Sequence, residues 1–141
     1  MWKKENTITT KEITKKQIWR LFEDVNSWSS WDKELEWTKL EGKFEVGNYF
    51  LLKPKGGPKV KITLLEVKPF DYFKDVANFP LAKMYDEHIF EETSEGLKMT
   101  NIITVQGILG FLWVKLVAKN LADTMLEHMK IQIEVAKKYE K

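Results

Sequence analysis

The chain has 141 residues, 23 Lys+Arg against 21 Asp+Glu, a formal net charge of +2 and no cysteine. The missing cysteine excludes disulfides, thiolate metal sites and a cysteine nucleophile. The near-neutral charge, with Arg20 the only arginine, argues against a nucleic-acid partner, because phosphate binding needs a concentrated basic surplus. At this length one domain over 1–141 is the default. The aromatic share of 13%, with six tryptophans, is more large aromatic surface than a core this size must have.

In chain order, residues 2–9 read as an extended segment. Thr14 reads as an N-cap, and Ile18, Trp19, Leu21, Phe22 and Val25 recur at helical spacing, so a helix is expected over 14–25. Asn26-Ser27 breaks it, and Trp28 to Asp32 forms a second short helix or turn. Beyond Gly42 the period changes to two. Strands are expected over 35–42, 47–53, 59–68, 71–78, 83–93 and 96–106, bounded by Gly47, Gly56-Gly57-Pro58, Pro69, Pro80 and Ser94-Glu95-Gly96. Their short spacers predict antiparallel pairing.

From Gly110 the helical period returns. Ala118, Leu121, Ala122, Met125, Met129, Ile133 and Ala136 make one apolar stripe, opposite Lys119, Asp123, Glu127, Lys130 and Glu134, which predicts a helix over 111–138. The N-terminal residues carry Lys3 and Lys4 with no apolar stretch behind them, so no signal peptide is expected. The longest apolar run, 108–118, is too short for a bilayer span, which needs ~20 residues. A soluble, cytoplasmic protein is expected. The fold class is α+β: seven antiparallel strands, two short helices between the first and second, and one long helix to cover the apolar face. A sheet of that width curls. Closed by one helix, it leaves an aromatic-lined space, the natural ligand site.

The order and spacing of several pieces carry a family likeness. They are the Ile18-Trp19 and Phe22 helix, Asn26-Ser27-Trp28-Ser29-Ser30-Trp31, Val46-Gly47-Asn48-Tyr49-Phe50 and Ile62 to Pro69. The Glu92-to-Thr100 hairpin and the long last helix complete the set. With these the chain resembles the START-like (SRPBCC) superfamily of polyketide cyclase/dehydrase-like proteins over nearly its whole length. The resemblance implies a helix-grip fold, a curved sheet wrapped around the C-terminal helix, and binding of a hydrophobic small molecule or lipid. It leaves function open, because one scaffold hosts many sites.

Strand alternation assigns the inner face. Met84, Asp86, His88 and Phe90 share one side of their strand, and Leu97, Met99, Asn101, Ile103 and Val105 one side of the next. Val60, Ile62 and Leu64 face inward, as does Phe73. In 47–53 both Tyr49 with Leu51 and Phe50 with Leu52 suit the inner face, and a one-residue slip exchanges them; Tyr49 is the candidate. Asp86, His88 and Asn101 then stand among apolar neighbours, either orienting a ligand's polar end or satisfying one another. Trp28 and Trp31, three apart, share a side; with Trp113 they are expected at the cavity mouth. Leu121 and His128 complete the candidate lining from the last helix.

Asp86 with His88 also suggests acid–base catalysis. No nucleophile elbow, phosphate loop or metal-ligand spacing accompanies them, so no cofactor and no metal are expected. The chain is read as a binding protein, with a cyclase/dehydratase-type acid–base enzyme as the alternative and a protein-interaction module as the second. Transient membrane-surface contact through Phe111, Leu112 and Trp113, beside Lys115 and Lys119, is a further expectation. The expected state is a monomer or weak homodimer.

Overall fold

Seven antiparallel strands form one sheet in the order β1-β7-β6-β5-β4-β3-β2 in the computed structural model, which describes residues 1–141. The strands are β1 (Trp2–Thr10), β2 (Leu35–Leu40), β3 (Tyr49–Pro54), β4 (Val60–Lys68), β5 (Tyr72–Phe79), β6 (Ala82–Thr93) and β7 (Gly96–Gln106). Helix α1 (Lys15–Glu23) and a 3-10 turn (Val25–Ser30) lie between β1 and β2, and the remaining helices follow β7. This is the α+β helix-grip arrangement. The strand ends differ from the sequence expectation by one or two residues at most positions, as hydrogen-bond criteria and periodicity commonly do.

Helix α1 starts where the sequence places it. Thr14 Oγ1 accepts from the Gln17 backbone N–H, and Gln17 Oε1 accepts from the Thr14 N–H, a reciprocal capping box. The helix stops at Glu23 rather than running to 25, and the chain tightens into the 3-10 turn. Trp28 Nε1 donates to the carbonyls of Leu21 and Phe22, 3.2 Å each, satisfying end groups that α1 leaves free. Asn26 bridges both backbone groups of Leu40, donating to its carbonyl and accepting from its N–H, and Thr38 Oγ1 donates to Val25 O. These bonds tie the turn to the edge strand β2.

The register sorts the inner face into rows. Phe73, His88, Asn101 and Asn6 stand side by side on β5, β6, β7 and β1. Leu64, Asp75, Asp86 and Ile103 form the next row. A bulge between Leu64 and Glu66 shifts β4 by one residue, so that Val67 packs on the core after Leu64. One end of this face is closed by aromatics: Trp19 meets Phe44, Phe73 and Phe90 edge-on at ring centroids of 5.8 to 6.3 Å, and Phe22 lies 5.4 Å from Phe73.

The C-terminal helix is not the single rod that the stripe predicts over 111–138. It runs as α2 (Gly110–Trp113), a π-helical segment (Val114–Ala118), α3 (Lys119–Asp123) and α4 (Met125–Ala136). Thr124 breaks it; its hydroxyl donates to Asn120 O at 2.9 Å, a local bond that competes with the regular ladder. Asn6 Nδ2 donates to Ala122 O at 3.2 Å and pins the break to β1. The stripe itself holds: Ala118, Ala122, Met125, Met129, Ile133 and Ala136 are all buried. No helix is long and apolar enough to cross a membrane.

Candidate functional site

The strands bring four polar side chains together in the middle of an apolar face. Asn101 Nδ2 donates to Asp86 Oδ1 at 2.5 Å and to the Glu87 carbonyl at 3.3 Å, and His88 Nε2 lies 3.3 Å from the same Asp86 oxygen. The His88 ring stacks on Phe73, with centroids 4.4 Å apart and planes 18° apart, and contacts Phe22 at 4.7 Å. Stacking and the Asp86 contact together fix the imidazole's plane and one of its nitrogens.

The fourth member, Asp75, was not among the sequence candidates. It pairs with Asp86 across the β5–β6 ladder, where directly opposed side chains have Cβ atoms about 4.5–5.5 Å apart. Asp75 is 7% exposed, and its carboxylate makes no hydrogen bond or ion pair. Desolvation, and then the charge of Asp86, hold its carboxyl well above the ordinary carboxylate range. The signal was present in the sequence, since placing Phe73 inward places Asp75 inward by alternation.

A second unpartnered group adjoins them. Asn101 is 1% exposed, and its Oδ1 is buried with no donor. The amide orientation is set by its other end: a flipped Asn101 would turn its carbonyl oxygen toward the Asp86 carboxylate and the Glu87 carbonyl, acceptor against acceptor. The inner face thus keeps open hydrogen-bonding capacity beside a carboxylate that is already shared.

Around this cluster the burial of the inner face is uneven. Phe73, Phe90, Met99, Ile103 and Val105 are fully buried, whereas Leu52, Ile62, Met84, Asp86 and His88 remain half-buried. The accessible inner surface on these strands therefore runs from Leu52 and Ile62 to Met84, Asp86 and His88, the last of which borders the aromatic end. A shallow, open cleft of about 520 Å³ lies at the β5–β6 turn, lined by residues including Phe79, Leu81, Ala82, Tyr85 and Gln106.

Other candidates separate. Ile62 is half-buried on the inner face, and Leu64 and Ile103 are sealed in the core. Leu121 and His128 are half-buried on the C-terminal helix. Tyr49 is corrected: it is 46% exposed under Lys61, whose Nζ lies 4.4 Å from its ring, while Phe50 is buried beside Ile62. Pairing of Phe50 with Ile62 places Phe50, and hence Leu52, on the inner side. The three mouth tryptophans do not gather. Trp28 packs edge-on against Phe50 at 5.2 Å, whereas Trp113 stacks on Phe79 at 4.6 Å and donates to Pro80 O. Trp31 packs on the core, with its Nε1 buried and unpartnered.

No family model and no curated protein matches the sequence. Solved structures do match. Protein MLL2253 from Mesorhizobium loti superposes with a TM-score of 0.75, over 99% of this chain and all of that one (100%), at 10% identity. Ara h 8.0201 gives 0.73 over 96% and 97% of the two chains at 11% identity. The di-domain ARO/CYC StfQ from the steffimycin biosynthetic pathway gives 0.71 at 15% identity, over 96% of this chain and 49% of its own. The chain shares the helix-grip fold of these proteins, and at these identities the likeness is one of fold alone.

Proposed function

We propose that the protein binds a hydrophobic small molecule or lipid between the sheet and the C-terminal helix, with Asp75, Asp86, His88 and Asn101 meeting the ligand's polar end. The observation that carries this reading is the buried, unpartnered Asn101 Oδ1, set near the buried Asp75 carboxyl and half-buried apolar positions. A buried polar group without a partner costs about 1–3 kcal/mol, and a ligand that supplies the partner recovers that cost. The ARO/CYC neighbour keeps an acid–base enzyme as the alternative, with Asp86 and His88 as the proton-handling pair.

Native mass spectrometry of protein purified from its own host tests the reading. A carrier comes off with an intact small apolar ligand at about one per chain. A protein found empty, or holding a partner protein instead, sinks it. Turnover of a candidate substrate that Asp86→Asn abolishes moves the assignment to the enzyme. A second reading, reversible contact with a membrane surface, is favoured by Phe111 and Ile108, which stand 74% and 81% exposed at the start of the C-terminal helix.

A further inference from the structure

The charge and hydrogen-bond inventory of the inner face is lopsided. Its acceptors are the Asp75 carboxyl oxygens, the Asp86 oxygens and Asn101 Oδ1, and the last of these has no donor at all. Its donors are fewer: Asn101 Nδ2 is already committed to Asp86 and Glu87, and His88 Nε2 is turned to Asp86. A neutral Asp75 adds one O–H. The other buried orphan, Trp31 Nε1, is a single neutral N–H and offers no counter-charge.

No lysine or arginine compensates. Lys74 and Lys83 alternate to the outer face of β5 and β6, and Lys74 lies over the Tyr85 ring there. Lys4 occupies the β1 position opposite Ile103 but is exposed, and its charge acts on Asp123. Lys15 pairs with Asp71, Arg20 with Glu23, Lys119 with Asp123 and Lys130 with Glu127, all toward solvent. Desolvation and Asp86 alone account for the state of Asp75, and both act in the same direction.

We infer that the site, on the reading that this inner face is a ligand site, takes the protonated amine end of a hydrophobic molecule and rejects carboxylate and phosphate lipids. An ammonium group carries a positive charge and up to three N–H donors, which suits two facing carboxyl groups and an unpaired amide oxygen. A fatty-acid carboxylate would add a third acid to the cluster with no cation to receive it. The apolar part of the ligand would lie along Met84, Ile62 and Leu52, the half-buried inner positions on the open side.

The test is displacement of the neutral dye N-phenyl-1-naphthylamine at pH 7 by decylamine, decanol and decanoate, three probes that share one alkyl chain. Bulk electrostatics runs against the inference, because the chain's net charge of +2 attracts the anion. Decylamine is expected to bind at least about tenfold tighter than decanoate, as charge-assisted bonds imply. Asp86→Asn should remove most of that advantage and narrow the ratio of decylamine to decanol affinity. Decanoate binding as tightly as decylamine in the wild-type protein overturns the inference without recourse to any variant. So does an amine-to-decanol ratio that Asp86→Asn and Asp75→Asn both leave intact. If neither the dye nor decanol binds the folded protein, the ligand-site reading falls as well, which separates the two failures.

Discussion

Asp75 shows what a single side chain contributes against the fold. It sits 7% exposed, across the ladder from Asp86, with no bond to hold its charge, and burial followed by Asp86 raises its pKa well above 3.8. The folded state therefore holds a proton that the unfolded chain releases. By linkage, stability falls as pH rises above the ordinary carboxylate value and stops falling above the folded-state value. Below 3.8 both states are protonated, and the effect vanishes. Asp75→Asn removes the ionisable group with almost no change of shape. Melting curves of both proteins from pH 4 to 8 should show the variant more stable at neutral pH, with the gap narrowing toward acid. The groups facing Asp75 are Asp86 and, one row on, His88 and Asn101, and they are common to both proteins, so the difference isolates Asp75. A gap that is constant across this range would refute the assignment. At this scale the sequence was legible wherever parity was unambiguous: Asp86, His88 and Asn101 come from alternation, and Asp75 follows from Phe73. Tyr49 was misplaced because both sets of 47–53 are apolar, and only the pairing of Phe50 with Ile62 decides between them.

Among the elements, the C-terminal helix carries the contrast that matters. Its stripe from Ala118 to Ala136 was readable, but its continuity was not. A π segment fits one extra residue into a turn, and hydrophobic spacing alone does not mark it. The Thr124 break depends on a hydroxyl choosing Asn120 O, and on Asn6 capturing Ala122 O from a strand more than a hundred residues away. The stretch from Gly110 to Asp123 buries only Gly110, Ala118 and Ala122, all small, whereas α4 buries Met125, Met129, Gln132, Ile133 and Ala136. Local opening is easiest where little apolar area is lost. Hydrogen exchange should therefore run faster across 110–123 than across 125–136, by about tenfold or more in protection. Each fully buried large side chain adds about 1.5–3 kcal/mol to the cost of opening, which supports that margin. A probe seated between sheet and helix should slow exchange selectively in the first stretch. Equal protection of the two stretches would show that the π segment and the break have no dynamic consequence.

Seen whole, the molecule is unequal at its two ends. The α1 end is sealed by Trp19, Phe22, Phe44, Phe73 and Phe90, whose rings meet at 5.1 to 6.3 Å. The other end exposes Leu81, Ile108, Phe111 and Leu116, on the β5–β6 turn, the β7–α2 loop and the start of the C-terminal helix. Leu109 N–H donates to Leu81 O, and a Cβ on Gly107 would lie 2.5 Å from that same carbonyl, so loop and turn are held against each other. Lys83, Lys115 and Lys119 flank these residues, although Lys119 is paired with Asp123. Apolar side chains ringed by lysines suit the surface of an anionic bilayer, where each free lysine contributes about 1 kcal/mol. Trp113 does not belong to that surface, because its ring is stacked on Phe79 and its N–H is held by Pro80. The protein should co-sediment with phosphatidylserine-containing vesicles more than with pure phosphatidylcholine. Phe111→Ser and Ile108→Ser should each weaken that association several-fold without lowering the melting temperature, since neither side chain is packed. Trp113→Ala should act through stability instead. Vesicle binding unaffected by the two serine variants, or indifferent to lipid charge, would leave the exposed end without a membrane role.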